Sequence, residues 1–213
     1  MRTAISFICL SLFAAVQANA GNTSSYCDSI SANLVLNCGF EAGAFTNWTF
    51  SGNISNPGNN YYGVDSFDTN TGNYGAYLSN DPITDGGAAL VMSQTLSLLP
   101  STNYIVSFYV AQPIVSTGTY THDFSVSFDG TTLLSLVNPA AFNYTEYTYS
   151  FTTAASGNND ILSFTIINQD DYFSLDDIVV LAVPEPSTLA LLGIGLLGLG
   201  IARVRLFSRP RKT

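Results

Sequence analysis

Tyr104-Ile105-Val106-Ser107-Phe108-Tyr109-Val110 places Tyr104, Val106, Phe108 and Val110 on one face of an extended chain. A period of two is what a strand with one buried face requires, because successive side chains leave the pleat on opposite sides. The pattern recurs outward from there. Phe124-Ser125-Val126-Ser127-Phe128 alternates apolar and small polar residues, meets the hairpin dipeptide Asp129-Gly130, and leads into Leu133-Leu134. Tyr147 to Phe151 alternates again, and Gly157-Asn158-Asn159-Asp160 reads as a loop. Ile161 to Ile167 and Tyr172 to Val180 read as the last two strands, with Asn33 to Phe40, Tyr74 to Leu78 and Val91 to Leu96 as earlier ones. The Gly/Asn-rich section from Ser51 to Thr71 is predicted to be loop, centred on Tyr61 and Tyr62. No stretch of the middle shows helical periodicity with capping residues. Short strands separated by turn residues predict an all-β fold, an antiparallel β-sandwich of roughly eight to ten strands.

The two ends follow other rules. Arg2, an apolar run from Ala4 to Val16 and Ala18-Asn19-Ala20 form the three parts of a secretory signal peptide, predicted over residues 1–20. The run is about 20 Å long as a helix, too short to span a bilayer. At the far end, Val183-Pro184-Glu185-Pro186-Ser187-Thr188 precedes an apolar stretch from Leu189 to Ala202, then Arg203, Arg205, Arg209, Arg211 and Lys212. This predicts a single transmembrane helix over 187–204 and a basic tail over 203–213, with the C-terminus in the cytoplasm and the main domain outside. The prolines keep any helix from extending upstream and leave Glu185 on an extended peptide. Within the apolar stretch, Gly193-Ile194-Gly195-Leu196-Leu197-Gly198 matches a dinucleotide-binding pattern by letter alone. It lacks the strand before it and the acidic residue after it that the pattern needs.

Val-Pro-Glu-Pro-Ser-Thr, a short Leu/Gly-rich span and an arginine cluster together resemble the PEP-CTERM sorting signal of exopolysaccharide-producing Gram-negative bacteria. The resemblance covers residues 183–213, with its motif at 183–188. It implies that Pro184, Glu185 and Pro186 are recognised by an exosortase-type processing enzyme and are not catalytic here. It further implies a protein held in the membrane by the C-terminal helix, then delivered to the cell surface or extracellular matrix.

Between the two ends, residues 21–183 carry fourteen of the fifteen acidic residues, all but Glu185, and none of the six Lys and Arg. The formal charge of this region is therefore −14, with His122 neutral. Nucleic-acid binding, which depends on cationic contacts to phosphate, is excluded. Anionic lipid surfaces are disfavoured for the same reason. Neutral glycans, such as an extracellular polysaccharide, and divalent cations remain as partners. Cys9 lies in the predicted signal peptide, leaving Cys27 and Cys38, eleven positions apart. In an oxidising compartment such a pair reads as a disulfide, with two free thiols as the alternative.

The order of strands within 33–182, after an N-terminal segment at 21–32, resembles the galactose-binding-like jelly rolls, which include several carbohydrate-binding-module families. Asn33-Leu34-Val35-Leu36-Asn37-Cys38-Gly39-Phe40-Glu41 resembles the opening strand, and Phe45-Thr46-Asn47-Trp48-Thr49 the turn that follows it. Phe173-Ser174-Leu175-Asp176-Asp177-Ile178-Val179-Val180 resembles the closing strand. The resemblance implies a jelly-roll β-sandwich and a structural calcium held by Glu41, Asp176 and Asp177. Oxygen-rich carboxylates suit calcium, and clustered acids repel one another unless a metal or protons intervene.

Trp48, the only tryptophan, reads as a plug in the core more readily than as a sugar platform. Tyr61, Tyr62 and Tyr74 are the leading ligand-binding candidates, with Tyr77, Tyr109 and Tyr120 beside them, because loops and exposed strand faces host ligands. His122 and Asp123 lack a recognisable nucleophile beside them. Glu41 and Glu146 are the only glutamates of the domain from which a glycosidase carboxylate pair could be drawn. The sequence thus predicts an exported, non-enzymatic surface or matrix protein binding a neutral glycan. The alternatives are a structural biofilm-matrix protein with no ligand and, behind both, a glycoside hydrolase.

Overall fold

A computed structural model describes residues 24–52, 62–80, 88–155 and 160–184. The described residues form one 3₁₀ turn, Cys27–Ser29, and nine strands. In chain order these are β1 (Thr49–Gly52), β2 (Gly63–Asp65), β3 (Gly75–Asn80), β4 (Leu90–Thr95), β5 (Asn103–Gln112), β6 (His122–Phe128), β7 (Thr131–Val137), β8 (Phe142–Thr152) and β9 (Ile161–Ala182). All pairings are antiparallel, and β9 organises them. Its first half lies between β4 and β6, giving the order β1-β4-β9-β6-β7. Its second half lies between β3 and β5, giving β2-β3-β9-β5-β8. One sheet therefore curls over through β9 to make both layers of a jelly-roll sandwich.

The alternation in β5 places its residues as the pattern requires. Tyr104 is 2% exposed, and Val106, Phe108 and Val110 are fully buried. Phe108 meets Phe124 of β6 and Phe164 of β9 across the layers, with ring centroids 6.4 and 5.5 Å away. Asp129 and Gly130 both take positive φ, 46° and 77°, which gives the two-residue turn between β6 and β7 the twist the flanking strands need.

Four predicted elements differ from the structure. Ile161–Ile167 and Tyr172–Val180 are not separate strands but the two halves of β9. The Ser51–Thr71 section includes the short strand β2, paired to β3. Asn33 to Phe40 is not a strand, because Asn37 and Phe40 take left-handed φ of 50° and 58°, which interrupts extension. The segment still docks, through side-chain amides that imitate a ladder. Asn33 donates to the Ile178 carbonyl and accepts from the Val180 N–H, both at 3.0 Å. Gln94 of β4 accepts from the Leu36 N–H at 2.8 Å and donates to the Leu36 carbonyl at 2.9 Å. Val35, Cys38 and Phe40 are thereby pressed into the core.

Trp48 is 7% exposed and packs against Phe40 and Phe164, with its indole N–H donating to the Asn37 carbonyl at 3.2 Å. It is a core plug. Cys27 and Cys38 form a disulfide, tying the 3₁₀ turn to the docked segment. The predicted signal peptide, the predicted transmembrane helix, Tyr61, Glu185 and Pro186 lie outside the described residues. Among the described residues no helix is long and apolar enough to cross a membrane.

Candidate functional site: an aromatic and acidic cleft

The chain between β2 and β3 is held from below by carboxylates. In a regular strand Asp176 and Asp177 would point to opposite faces. Asp177 instead takes a left-handed φ of 51°, and the β5–β9 register shifts beside it. This bulge turns both carboxylates toward Asn70 and Thr71. Asp176 Oδ2 accepts from the N–H groups of Asn70 (2.7 Å) and Thr71 (3.1 Å), and its Oδ1 from the Asp177 N–H. Asp177 accepts from the Asn70 amide, the Thr71 hydroxyl and the Cys27 N–H. Glu41 grips the next turn, taking the N–H groups of Asn73 (2.8 Å) and Tyr74 (3.1 Å) on Oε1 and the Asn73 amide on Oε2. Gly72, at φ +80°, leaves room for that carboxylate, since a Cβ there would lie 2.2 Å from Glu41 Oε1.

Both members of the Asp176-Asp177 pair are fully buried. Burial, then the neighbouring Asp177 charge, pushes the Asp176 carboxyl up to about 8 against the pull of its three N–H donors. Burial, then Asp176 and Asp68, raises the Tyr144 phenol well above its ordinary range. Glu41 does not join Asp176 and Asp177 in a three-ligand cluster within 4.8 Å, and all six carboxylate oxygens already face N–H or O–H donors. As they stand the three carboxylates form a clamp on residues 70–74. An ion shared among them would have to displace some of those donors.

What the clamp positions is one wall of a cleft. The cleft has a volume of about 570 Å³ and is lined by Asp65, Phe67, Asp68, Tyr77, Ser79, Ile114, Gln169, Asp170, Asp171 and Tyr172. Ala76 and Leu78 of β3 face the core, so Tyr77 and Ser79 face outward and supply part of its surface. Tyr77 stands edge to face with Tyr172, ring centroids 6.1 Å apart. Phe67, in the turn after β2, is 91% exposed, and Ile114 is 53% exposed. That turn is fixed by Asp65, whose Oδ1 accepts from the Phe67 and Asp68 N–H groups at 2.8 and 3.0 Å. Asp68 is 7% exposed and accepts from the Ser174 hydroxyl at 2.5 Å, while burial, offset by that bond, raises its carboxyl. Asp171 accepts from the Ser116 N–H at 2.6 Å and from its hydroxyl at 3.2 Å. Apolar ring faces interleaved with hydrogen-bonding groups can hold a flat, hydroxyl-rich ligand by stacking and by directed bonds at once.

Of the sequence candidates among the described residues, Tyr77 lines the cleft; the others fall elsewhere or at its margin. Tyr62 is half-buried and stacks on Phe50, centroids 4.9 Å apart, while Tyr74 lies over Gly43; neither lines the cleft. Tyr109 donates to Glu146, and Glu146 and Glu41 both lie outside the cleft lining. His122 is 4% exposed and shares a 2.7 Å hydrogen bond with Asn168, a structural role. Tyr120, hydrogen-bonded to Asp170, reaches the rim. Sequence reasoning missed Phe67, Tyr172 and the cleft acids. The usable signals were a single aromatic inside a polar loop at Ser66-Phe67-Asp68 and the run Gln169-Asp170-Asp171-Tyr172 inside a strand.

Comparison with known proteins matches residues 182–205 to the PEP-CTERM protein-sorting motif. No curated protein sequence matches the chain. Among solved structures, the CBM22-1–GH10 modules of Clostridium thermocellum endo-1,4-β-D-xylanase 10B, complexed with xylohexaose, superpose with a TM-score of 0.50 at 19% identity over 73% of this chain and 29% of that one. The enzymatically active domain of bacteriophage CBA120 tailspike protein 4 gives 0.50 at 16% identity over 71% and 22%. TmCBM61 in complex with β-1,4-galactotriose gives 0.48 at 18% identity over 72% and 100%. This chain thus spans less than a third of the tailspike and xylanase chains. At these identities the likeness is one of fold. The chain therefore carries a PEP-CTERM protein-sorting motif at 182–205, behind a jelly-roll domain built like those of carbohydrate-binding modules.

Proposed function

We propose that this is an exported, non-catalytic protein that binds a glycan in the cleft and is sorted through its PEP-CTERM tail to the cell surface or exopolysaccharide matrix. The cleft carries the reading: the rings of Tyr77, Tyr172 and Phe67 line it beside the acids and amide that would bond sugar hydroxyls. A domain of charge −14 repels uronic or sulfated chains, so the simplest ligand is a neutral polysaccharide. Affinity electrophoresis of the purified protein on neutral glycans, including the host's own exopolysaccharide, tests this. Retention should weaken about tenfold in Tyr172→Ala or Tyr77→Ala, the loss of one good stacking contact. No retention of the unaltered protein on any of them overturns the neutral-glycan reading, and release of reducing sugar overturns the non-catalytic one.

On the same proposal, residues 1–20 are removed as a signal peptide and 187–204 anchor the protein until an exosortase-type enzyme recognises Pro184, Glu185 and Pro186. Glu185→Ala should then accumulate as an uncleaved membrane form on immunoblots, and unchanged processing would count against it. A structural calcium drawing on Glu41, Asp176 and Asp177 is part of the proposal, supported by two adjacent buried acids in a domain without Lys or Arg. Unfolding midpoints should rise with calcium and fall with chelator; identical midpoints sink the ion.

A further inference from the structure

Resting on the glycan-binding reading of the cleft, we propose that its preferred ligand is a glycan carrying free amino groups, a polymer containing de-N-acetylated hexosamine. The cleft and its aromatic lining make the site; its charges select the ligand. Asp65, Asp68, Asp170 and Asp171 are four of the ten lining residues. The partners that the protein gives Asp65, Asp68 and Asp171 include N–H and O–H dipoles from Phe67, Asp68, Ser174, Tyr172 and Ser116, Asp65 and Asp68 share a hydrogen bond, and the Tyr120 phenol bonds Asp170. No Lys or Arg occurs between Arg2 and Arg203, so the domain has no counter-charge to place there. Carboxylates lining a recess without a cation repel one another, and a cationic ligand relieves that repulsion on binding.

The spacing argues for a polymer over a metal ion. Among the described residues the only cluster of three acid, His or Cys ligands within 4.8 Å is Cys27, Asp28 and Cys38, two of which are joined in the disulfide. Asp65 and Asp68 share a side-chain hydrogen bond, but no third cleft acid joins them in such a cluster, so the acids form no three-ligand cage for an ion. The rings favour the same ligand. Tyr77, Tyr172 and Phe67 line the cleft, and aromatic rings attract a cation as well as the C–H face of a pyranose. Ammonium-to-carboxylate hydrogen bonds are also stronger than neutral ones. N-acetylation removes the charge and puts a bulkier neutral group in its place.

Isothermal titration of the purified protein, at mildly acidic pH where sugar amines are protonated, compares glucosamine oligomers, their fully N-acetylated counterparts and xylo-oligosaccharides. The amine oligomer should bind about tenfold more tightly than the N-acetylated one. The gap should close in high salt, which screens exposed charges, and in the charge-removing double variant Asp65→Asn/Asp170→Asn. Circular dichroism confirms that this variant is folded, and Asn at position 65 keeps the acceptor that fixes the Phe67 turn. Equal, salt-independent binding of amine and N-acetylated oligomers that is lost in Tyr172→Ala overturns the amine preference while leaving the cleft reading intact. Absence of binding to all three overturns both.

Discussion

Gly75 sits where the turn after β2 passes closest to β3: a Cβ there would lie 1.7 Å from the Asp68 carbonyl oxygen. That oxygen also accepts the Tyr144 hydroxyl, so it has a fixed place and cannot simply move aside. Gly75→Ala should destabilise the fold by about 2–3 kcal/mol, read as a lower urea midpoint, because backbone rather than a flexible side chain must shift. The same shift would displace Asp68 and Phe67, so glycan affinity should fall with stability. Trp48 gives the contrasting case. It is buried among Phe40 and Phe164 and absent from the cleft lining. Trp48→Ala should cost about 3–5 kcal/mol as a cavity in the core. The affinity of the folded fraction should stay unchanged, and a loss of affinity out of proportion to unfolding would show that Trp48 touches the ligand.

The docked segment Asn33 to Phe40 shows how an element can be held without strand geometry. Its ladder contacts to β9 and β4 come largely from the amides of Asn33 and Gln94. Asn33→Ala leaves the Val180 N–H without its partner and should cost about 1–3 kcal/mol. Reducing the Cys27–Cys38 disulfide releases the same segment from the other side, costing about 2–3 kcal/mol by loop-closure entropy. Thermal melts of Asn33→Ala with and without reductant check both, and a midpoint that neither change moves would show that the segment contributes little. The sequence displayed this element's apolar character but not its burial: a period of two sets Val35 opposite Cys38 and Phe40, yet all three face the core while Leu34 and Leu36 are exposed. It concealed the conformation, because left-handed Asn37 and Phe40 carry no local signal as glycine would. The strands with clean alternation, β5 and β6, were legible because period two follows directly from one buried face. The cleft was not: Asp65, Ile114 and Tyr172 are brought together only when β9 folds the sheet over, a contact no local pattern encodes.

At the scale of the whole molecule, acidity without counter-charge sets how stability responds to solution conditions. The folded Asp176 carboxyl, pushed up to about 8, lies far above its ordinary value of 3.8. Between those values the folded state holds a proton that the unfolded chain has released, so stability must fall as pH rises. The contribution of Asp176 is whole below about pH 4 and gone above about pH 8. Asp68, also raised by burial, acts in the same direction. Repulsion among the domain's other carboxylates adds to the loss. The melting temperature should therefore be higher at mildly acidic than at mildly alkaline pH. Salt separates the two causes: it screens exposed carboxylates from one another beyond a Debye length of about 10 Å at 0.1 M, but reaches a fully buried pair poorly. Added sodium chloride at alkaline pH should recover only part of the lost stability, and the part that remains belongs to the buried Asp176 and Asp68. A melting temperature that is flat or rises across this range would show that the acids are already neutralised, and full recovery by salt would place the whole effect on the surface. Loss of the tail's five basic residues on processing would strengthen the surface part, so the cleaved form should show the steeper dependence on salt.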